Sequence, residues 1–360
     1  MSGRRPLALL ANPENRRAAF FLDAAARCGL PAPTVLAWRD LLDGAPLPDA
    51  EALRIDSPGE DFGVWRRLVE RGGGPAGLTV DPGRIRHSAA WYRGLLTALR
   101  PLRAFGGLLL NDPDEIEVLF DKRLCHARLV AAGVPVAPAL PAPRSWSELP
   151  SLLEAHPRLF LKPAHGSSAS GVLALSRSPG GISAWTSVER DPEGRLYNNL
   201  RVRQVRDAAE LAAIVDALVP EGLHAEVWIP KAQQGGHSVD LRVLCVAGRP
   251  RHAVVRRSPT PLTNLHLGNA RGDLPALRAA MGEDAWSRAM AACAAAAACF
   301  PRSLAVGVDL LVESDLERAR VIEVNAFGDL LPGLLHEGED PQEAQVRALL
   351  AGWRSGGRPS

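Results

Sequence analysis

Four groups of residues in this sequence have types and spacing that could handle a charged substrate. The first is the run Leu161-Lys162-Pro163-Ala164-His165-Gly166-Ser167-Ser168-Ala169-Ser170-Gly171-Val172. An apolar strand delivers Lys162, and a loop of small residues between Gly166 and Gly171 follows. Glycine lets a backbone approach a ligand closely and present its N–H groups, which suits phosphate oxygens. Lys162 adds a positive charge for the same anion, and Ser167 and Ser168 sit inside the loop. The second group is Asp309, in Gly-Val-Asp-Leu-Leu-Val, together with Glu323 and Asn325 in Val-Ile-Glu-Val-Asn. Positions two apart on a strand share a face, so Glu323 and Asn325 project together. Hard oxygen donors of this kind suit Mg²⁺, which takes few protein ligands and completes its shell with phosphate and water. The third group is Glu226 and Val227 in Ala-Glu-Val-Trp-Ile-Pro-Lys, with Asp240-Leu-Arg242 behind them. A short strand that stops at a proline leaves backbone donors and acceptors that could read an adenine edge. The fourth is Arg256-Arg257, followed by Thr263-Asn264. Arginine can clamp phosphate or carboxylate through two parallel hydrogen bonds. Taken singly, each group has a plain alternative: a solvated hairpin, the wet face of a sheet, an edge strand, a basic strand end. His165 and His266 read as structural.

To act together, these groups need a scaffold that gathers residues far apart in the chain. Residues 6–11 read as a buried strand, 12–15 as a turn and 16–28 as a helix stopped by Gly29. Residues 35–38 read as a second strand, so the chain opens as strand, helix, strand, which predicts a parallel sheet with crossovers. Further helices are expected at 89–103, 119–132, 207–218 and, one or two of them, within 274–300. Further strands are expected at 107–110, 159–163, 172–175, 224–229, 240–246, 252–257, 304–312 and 320–325. Residues 182–188 and 196–205 flank Asp191-Pro192-Glu193-Gly194 and read as a hairpin. The Pro-rich stretch 135–150 reads as an extended connection, and the tail from 355 as disordered.

Composition narrows the function classes. The chain has 360 residues, enough for two or three domains, and 46% of them are hydrophobic. Lys and Arg number 42 against 40 Asp and Glu, so there is no basic stripe of the kind that marks a nucleic-acid binder. Five cysteines without a Cys-x-x-Cys pair argue against a disulfide framework or a zinc site and predict a cytoplasmic protein. The run at 289–300 falls short of the roughly 20 apolar residues a membrane span needs. Gly-x-Gly-x-x-Gly, Walker A and Gly-x-Ser-x-Gly patterns are absent.

In order, the four groups run lysine, glycine loop, strand before a proline, Asp-Leu-Arg, arginine, asparagine, aspartate, Glu-x-Asn. That order resembles the ATP-grasp superfamily, and within it the RimK-like and glutathione-synthetase-like ligases. Asp121-Lys122 and Gly133-Val134-Pro135 are similar to that family's helix start and exit. The resemblance implies an α/β chain with an N-terminal parallel-sheet domain at 1–118 and two ATP-grasp subdomains, at 119–222 and 223–354, clasping the nucleotide. It implies ATP phosphates on Lys122 and Lys162, adenine at Glu226 and Val227, and ribose at Asp240. Arg257 and Asn264 would face the transferred phosphate. Asp309, Glu323 and Asn325 would hold Mg²⁺, with Mn²⁺ as the alternative ion. The implied activity joins a small-molecule or peptide carboxylate to an amine or thiol through an acylphosphate, without nucleic acid or membrane, with a homodimer as one option. A phosphotransferase and a non-catalytic nucleotide-binding scaffold are the alternatives. Departures cluster on the acceptor side: Ala326-Phe327-Gly328-Asp329 follows Glu-x-Asn where the family often has Ser-Pro-Gly, Leu262 stands where RimK-like proteins often have arginine, and residues 233–238 are extra.

Overall fold

The computed structural model describes residues 5–166, 169–328 and 331–356, and three sheets form among them. The first is built from β1 (Arg5–Ala11), α1 (Arg16–Arg27), β2 (Thr34–Ala37), α2 (Trp38–Leu42), β3 (Ala50–Ile55), α3 (Phe62–Arg71), α4 (Ser88–Leu99) and β4 (Leu108–Leu109). Its strands run β2-β1-β3-β4, all parallel. β1 reads as a continuous apolar run because both of its faces are covered. β3 was not foreseen, since it carries Arg54. That guanidinium is buried over the Phe21 ring, 4.2 Å from its centroid, and bonds Gln345.

Two helices lead out of this sheet, α5 (Pro113–Leu119) and α6 (Lys122–Ala131). The single helix expected at 119–132 is therefore shorter and later. Asp121 caps α6, accepting from the N–H groups of Arg123 and Leu124, while Asp112 and Pro113 start α5. Phe120 and Asp121 form the corner between them.

The second sheet comprises β5 (Ala139–Leu140), α7 (Leu149–Ala155), β6 (Arg158–Pro163), β7 (Leu173–Ser178), β8 (Gly181–Arg190), β9 (Leu196–Val205), α8 (Ala208–Leu218) and β10 (Leu223–Val227). Its order is β5-β10-β6-β7-β8-β9, antiparallel throughout. The β8–β9 hairpin and the Asp207-capped α8 lie where the residues predict them. The expected boundary at 222/223 places β10 at the start of the C-terminal subdomain. Its hydrogen-bonded partners are β5 and β6 of the second sheet.

The third sheet holds β11 (Gln233–Gln234), β12 (His237–Val246), β13 (Arg249–Ser258), β14 (Ala270–Arg271), α9 (Leu274–Ala298), β15 (Ala305–Val312) and β16 (Ala319–Asn325). The order β14-β13-β12-β15-β16 is antiparallel, with β11 on β12. α9 is broken at Gly282, whose φ of 75° and ψ of 161° no helix allows. The final helix, α10 (Pro341–Leu350), starts with a capping box of Asp340 and Glu343 and returns to pack on α1. Of the tail expected to be disordered, 357–360 lies outside the described residues.

Candidate active site

The second and third sheets face each other across a cleft lined from both sides. β6 brings Lys162 to its wall, and α6 brings Lys122. The amide N–H of Lys122 donates to Ala164 O at 3.0 Å, and its Nζ donates to Gly166 O at 2.7 Å. The start of α6 is thereby stitched to the end of β6, and two lysines converge. Gly166, Ala169 and Ser170 line the same cleft. Ser167 and Ser168 lie outside the described residues. Gly171 is at the loop's base with φ 73°, and a Cβ there would come within 2.7 Å of Pro163 Cγ, so only glycine fits.

Lys162 is buried and paired with Glu226, whose other oxygen lies 3.4 Å from His224 Nε2. Burial opposes ionisation of Glu226, but Lys162 and His224 outweigh it and hold the carboxyl down at about 2. Glu226 therefore anchors the lysine through its side chain. The Val227 N–H is also engaged, donating to Pro138 O at 2.9 Å. Val227 and Ile229 line the cleft as apolar surface.

Asp240, the residue expected on the ribose side, is held by protein partners. It is 1% exposed, and its oxygens accept from Arg256 Nε at 2.7 Å, from Lys231 Nζ at 2.9 Å and from the Thr263 hydroxyl. Burial disfavours its charge, but Arg256 and Lys231 hold it well below the usual carboxylate range. It organises Lys231, Arg256 and Thr263 around one buried carboxylate. Lys231 is itself pushed down by burial, with Asp240 opposing.

Strand alternation decides between the two arginines of β13. Arg256 is 5% exposed, lines the cleft and also bonds Asp309 Oδ2 at 3.2 Å. Arg257, the expected residue, does not line it. Its Nη2 lies 3.3 Å from His237 Nδ1. Asn264 is at the cleft, with its side-chain oxygen accepting from the His266 N–H.

Asp309 and Glu323 are directly opposite in the β15–β16 ladder, and the register shifts immediately after Asp309. Such a bulge re-aims side chains next to it. Burial pushes the Asp309 carboxyl up, with Arg242 and Arg256 opposing. For Glu323 the balance is reversed. Burial opposes its charge, but Lys122, Lys162 and two arginines hold the pKa below the usual range. Asn325 stands away from the first cleft. It lines a second cavity and donates to Gly307 O at 3.3 Å.

The second cavity, about 1050 Å³, lies between the first sheet's loops, α5, α6 and the end of β16. It shares Lys122, Lys162, Gly166, Ile322 and Glu323 with the first cleft. Sequence reading named Thr263 only beside Asn264 and gave Lys231 no role, whereas both meet Asp240 in space. The available signal was a lysine just past the proline that ends β10. It also did not choose Arg256, which needed the β12–β13 register pairing Asp240 with Arg256.

No family model and no curated protein matches this chain. Solved structures do. D-cycloserine synthetase DcsG is 18% identical, with 96% of this chain and 98% of that chain covered and a TM-score of 0.57. The ATP-grasp ligase PsnB, complexed with a minimal precursor, is 14% identical over 96% of this chain and 99% of its own, with a TM-score of 0.57. D-alanine–D-alanine ligase from Bacillus anthracis, complexed with ATP, is 12% identical over 97% of each chain, with a TM-score of 0.53. At identities this low the likeness is one of architecture, and the architecture of this chain is the ATP-grasp fold.

Proposed function

We propose that this chain is an ATP-dependent ligase that phosphorylates a carboxylate to an acylphosphate and passes the acyl group to an amine or thiol, releasing ADP and phosphate. The observation that carries this is the meeting of two cavities at one cluster of charges, Lys122, Lys162 and Glu323. A nucleotide in the first cleft, with its base against Phe160, Val227, Ile229 and Leu311, would present its terminal phosphate there. A carboxylate in the second cavity would reach the same point. Among the described residues, the first cleft is lined by five cations (Lys122, Lys162, Lys231, Arg256, Arg320) and four carboxylates (Glu226, Asp240, Asp309, Glu323), a balance that favours a polyphosphate.

The donor set suits Mg²⁺ or Mn²⁺. Asp309 Oδ1 is buried, accepts no hydrogen bond and is met by Arg242 as an ion pair, and Glu323 faces Asp309 across the ladder. Among the described residues, no group of three or more His, Cys, Asp or Glu is placed to hold a metal. That fits an ion which takes most of its oxygens from phosphate rather than from a protein cage. Asp309 and Glu323 would hold it, with Asn325 beyond them, and the ion would neutralise charge on the phosphates. Lys122 and Lys162 bind and orient the triphosphate. Arg256 stabilises charge on the phosphoryl group in flight, an electrostatic contribution from a preorganised donor. The loop carrying Gly166, Ala169 and Ser170 excludes water from the acylphosphate.

The test is to incubate the protein with Mg-ATP and pooled carboxylic acids, amines and thiols and to resolve products by mass. ADP, phosphate and a new amide or thioester are expected. ADP with a stable phosphorylated product would replace the ligase with a phosphotransferase. Glu323→Ala should abolish turnover with the melting curve retained, and Lys162→Ala, which strands the buried Glu226, should abolish turnover and lower the melting temperature. Full activity in either would refute the assignment.

A further inference from the structure

The second cavity carries chemistry that defines what enters it. Its wall away from the phosphate end is aromatic. Trp91 and Phe120 have ring centroids 5.5 Å apart at 44°, and Phe120 and Phe327 have centroids 5.5 Å apart at 57°. All three rings are half-buried and line the cavity, with Leu119, Cys125 and Leu129 beside them. Such faces favour an apolar or aromatic body, adding ring–ring contact to the area removed from water.

The charges are arranged at one end. Among the described residues that line the cavity, Glu323 is the single carboxylate, and it lies at the seam with Lys122 and Lys162. Arg17, the remaining cation of the wall, is engaged by Asp56 and by the Phe327 carbonyl. The imidazoles of His126 and His224 have their Nε2 atoms on Ala137 O and on Glu226. A ligand carrying a second carboxylate on its far end would bring that charge against Trp91, Phe120 and Phe327, and burying an unpaired charge is costly. Among the described residues of that wall, a cationic tail would find no acid.

We infer that the second cavity takes a small monocarboxylate with an aromatic or bulky apolar body, its carboxylate at Lys122 and Lys162 and its body against Trp91, Phe120 and Phe327. This rests on the ligase reading above and names the substrate class for it. An arylalkanoic acid and a free aromatic amino acid share this chemistry.

The experiment supplies Mg-ATP, hydroxylamine as the nucleophile and one carboxylate at a time: 3-phenylpropionate, L-phenylalanine, succinate or L-glutamate. Hydroxamate is read as the trapped acyl group. In parallel, the shift in melting temperature that each acid causes is measured with a non-hydrolysable ATP analogue present. At least one aromatic acid should give hydroxamate about tenfold or more faster than either dicarboxylate, the discrimination an apolar pocket can supply. The same acid should raise the melting temperature. Phe120→Ala should raise its KM about tenfold with a smaller change in kcat, and Phe327→Leu, a milder change of shape, should move KM in the same direction. The two aromatic arms separate the free acid from the amino acid. Faster hydroxamate from succinate or L-glutamate overturns the inference and leaves the ligase reading standing. A melting shift by an aromatic acid without any hydroxamate keeps the ligand class and removes the ligase reading. No shift and no hydroxamate from either aromatic acid overturns the inference.

Discussion

Arg256 and Arg257 are neighbours in sequence with unlike surroundings. Arg256 is held by two carboxylates, Asp240 and Asp309, and burial that would lower its pKa is outweighed by them, so it stays charged at the cleft. Arg257 is half-buried and meets His237. A guanidinium already fixed before substrate arrives costs no reorganisation at the moment of transfer. Arg256→Ala should therefore lower kcat by about 100-fold or more, the scale seen when one preorganised donor is removed. Arg257→Ala should stay within about threefold, as substitutions outside such features do. Arg256→Lys should fall between, since a lysine keeps the charge but loses the planar fork that reaches both carboxylates. Steady-state kinetics alongside circular-dichroism melts separate catalysis from folding. Equal losses in the two alanine variants would return the role to Arg257.

At the scale of elements, the start of α6 carries the most consequence for the site. Asp121 caps the helix and also hydrogen-bonds His165 Nε2 at 3.0 Å, and the His165 ring stacks on Tyr92 with centroids 4.1 Å apart. Through that corner Lys122 meets the Gly166 carbonyl. Asp121→Ala should cost about 1–2 kcal/mol from the lost cap, read by urea unfolding. It should also raise KM for ATP, because Lys122 loses its fixed origin. An unchanged KM with full loss of stability would limit Asp121 to capping. The Asp-Lys step was legible in sequence, as were the hairpin at 181–205 and the glycine-bounded loop, because turn residues and alternation act locally. What stayed hidden depends on partners distant in the chain. β3 was obscured by Arg54, whose burial is compensated by Phe21 in α1 and Gln345 in α10. The face of β13 that meets the cleft follows from its register with β12. For α10 a local signal did exist: Asp340-Pro341-Gln342-Glu343 is a capping-box sequence.

Across the whole molecule, the apolar cores divide unevenly. One cluster joins Ala8, Leu10 and Leu53 of the first sheet to Val239, Leu241 and Val308 of the third. Another joins Leu7, Leu9 and Phe21 to Leu244, Val254 and, from α10, Val346. The buried members of a third cluster, among them Leu159, Leu173, Val188, Ile214 and Ala225, all belong to the second sheet and its helices. That sheet meets the rest through a small cluster, in which Phe160 and Val172 touch Leu262 and Leu267. Polar links add to it, such as Glu221 accepting from the N–H groups of His87 and Ala89. Few shared apolar contacts mean that the second sheet can open at lower cost than the joint core of the other two. Native-state hydrogen exchange should then give the protected amides of β8 and β9 a common opening free energy below that of β1 and β12. Opening the second sheet also dismantles the nucleotide cleft. An ATP analogue at 100 times its Kd should therefore slow those amides by about 100-fold, the factor set by mass action. Local fluctuations of α3, none of whose residues line the cleft, leave the cleft intact and should keep their rate. If β8, β9, β1 and β12 shared one opening free energy, the molecule would be a single cooperative unit and the ATP analogue would slow exchange in all four strands alike.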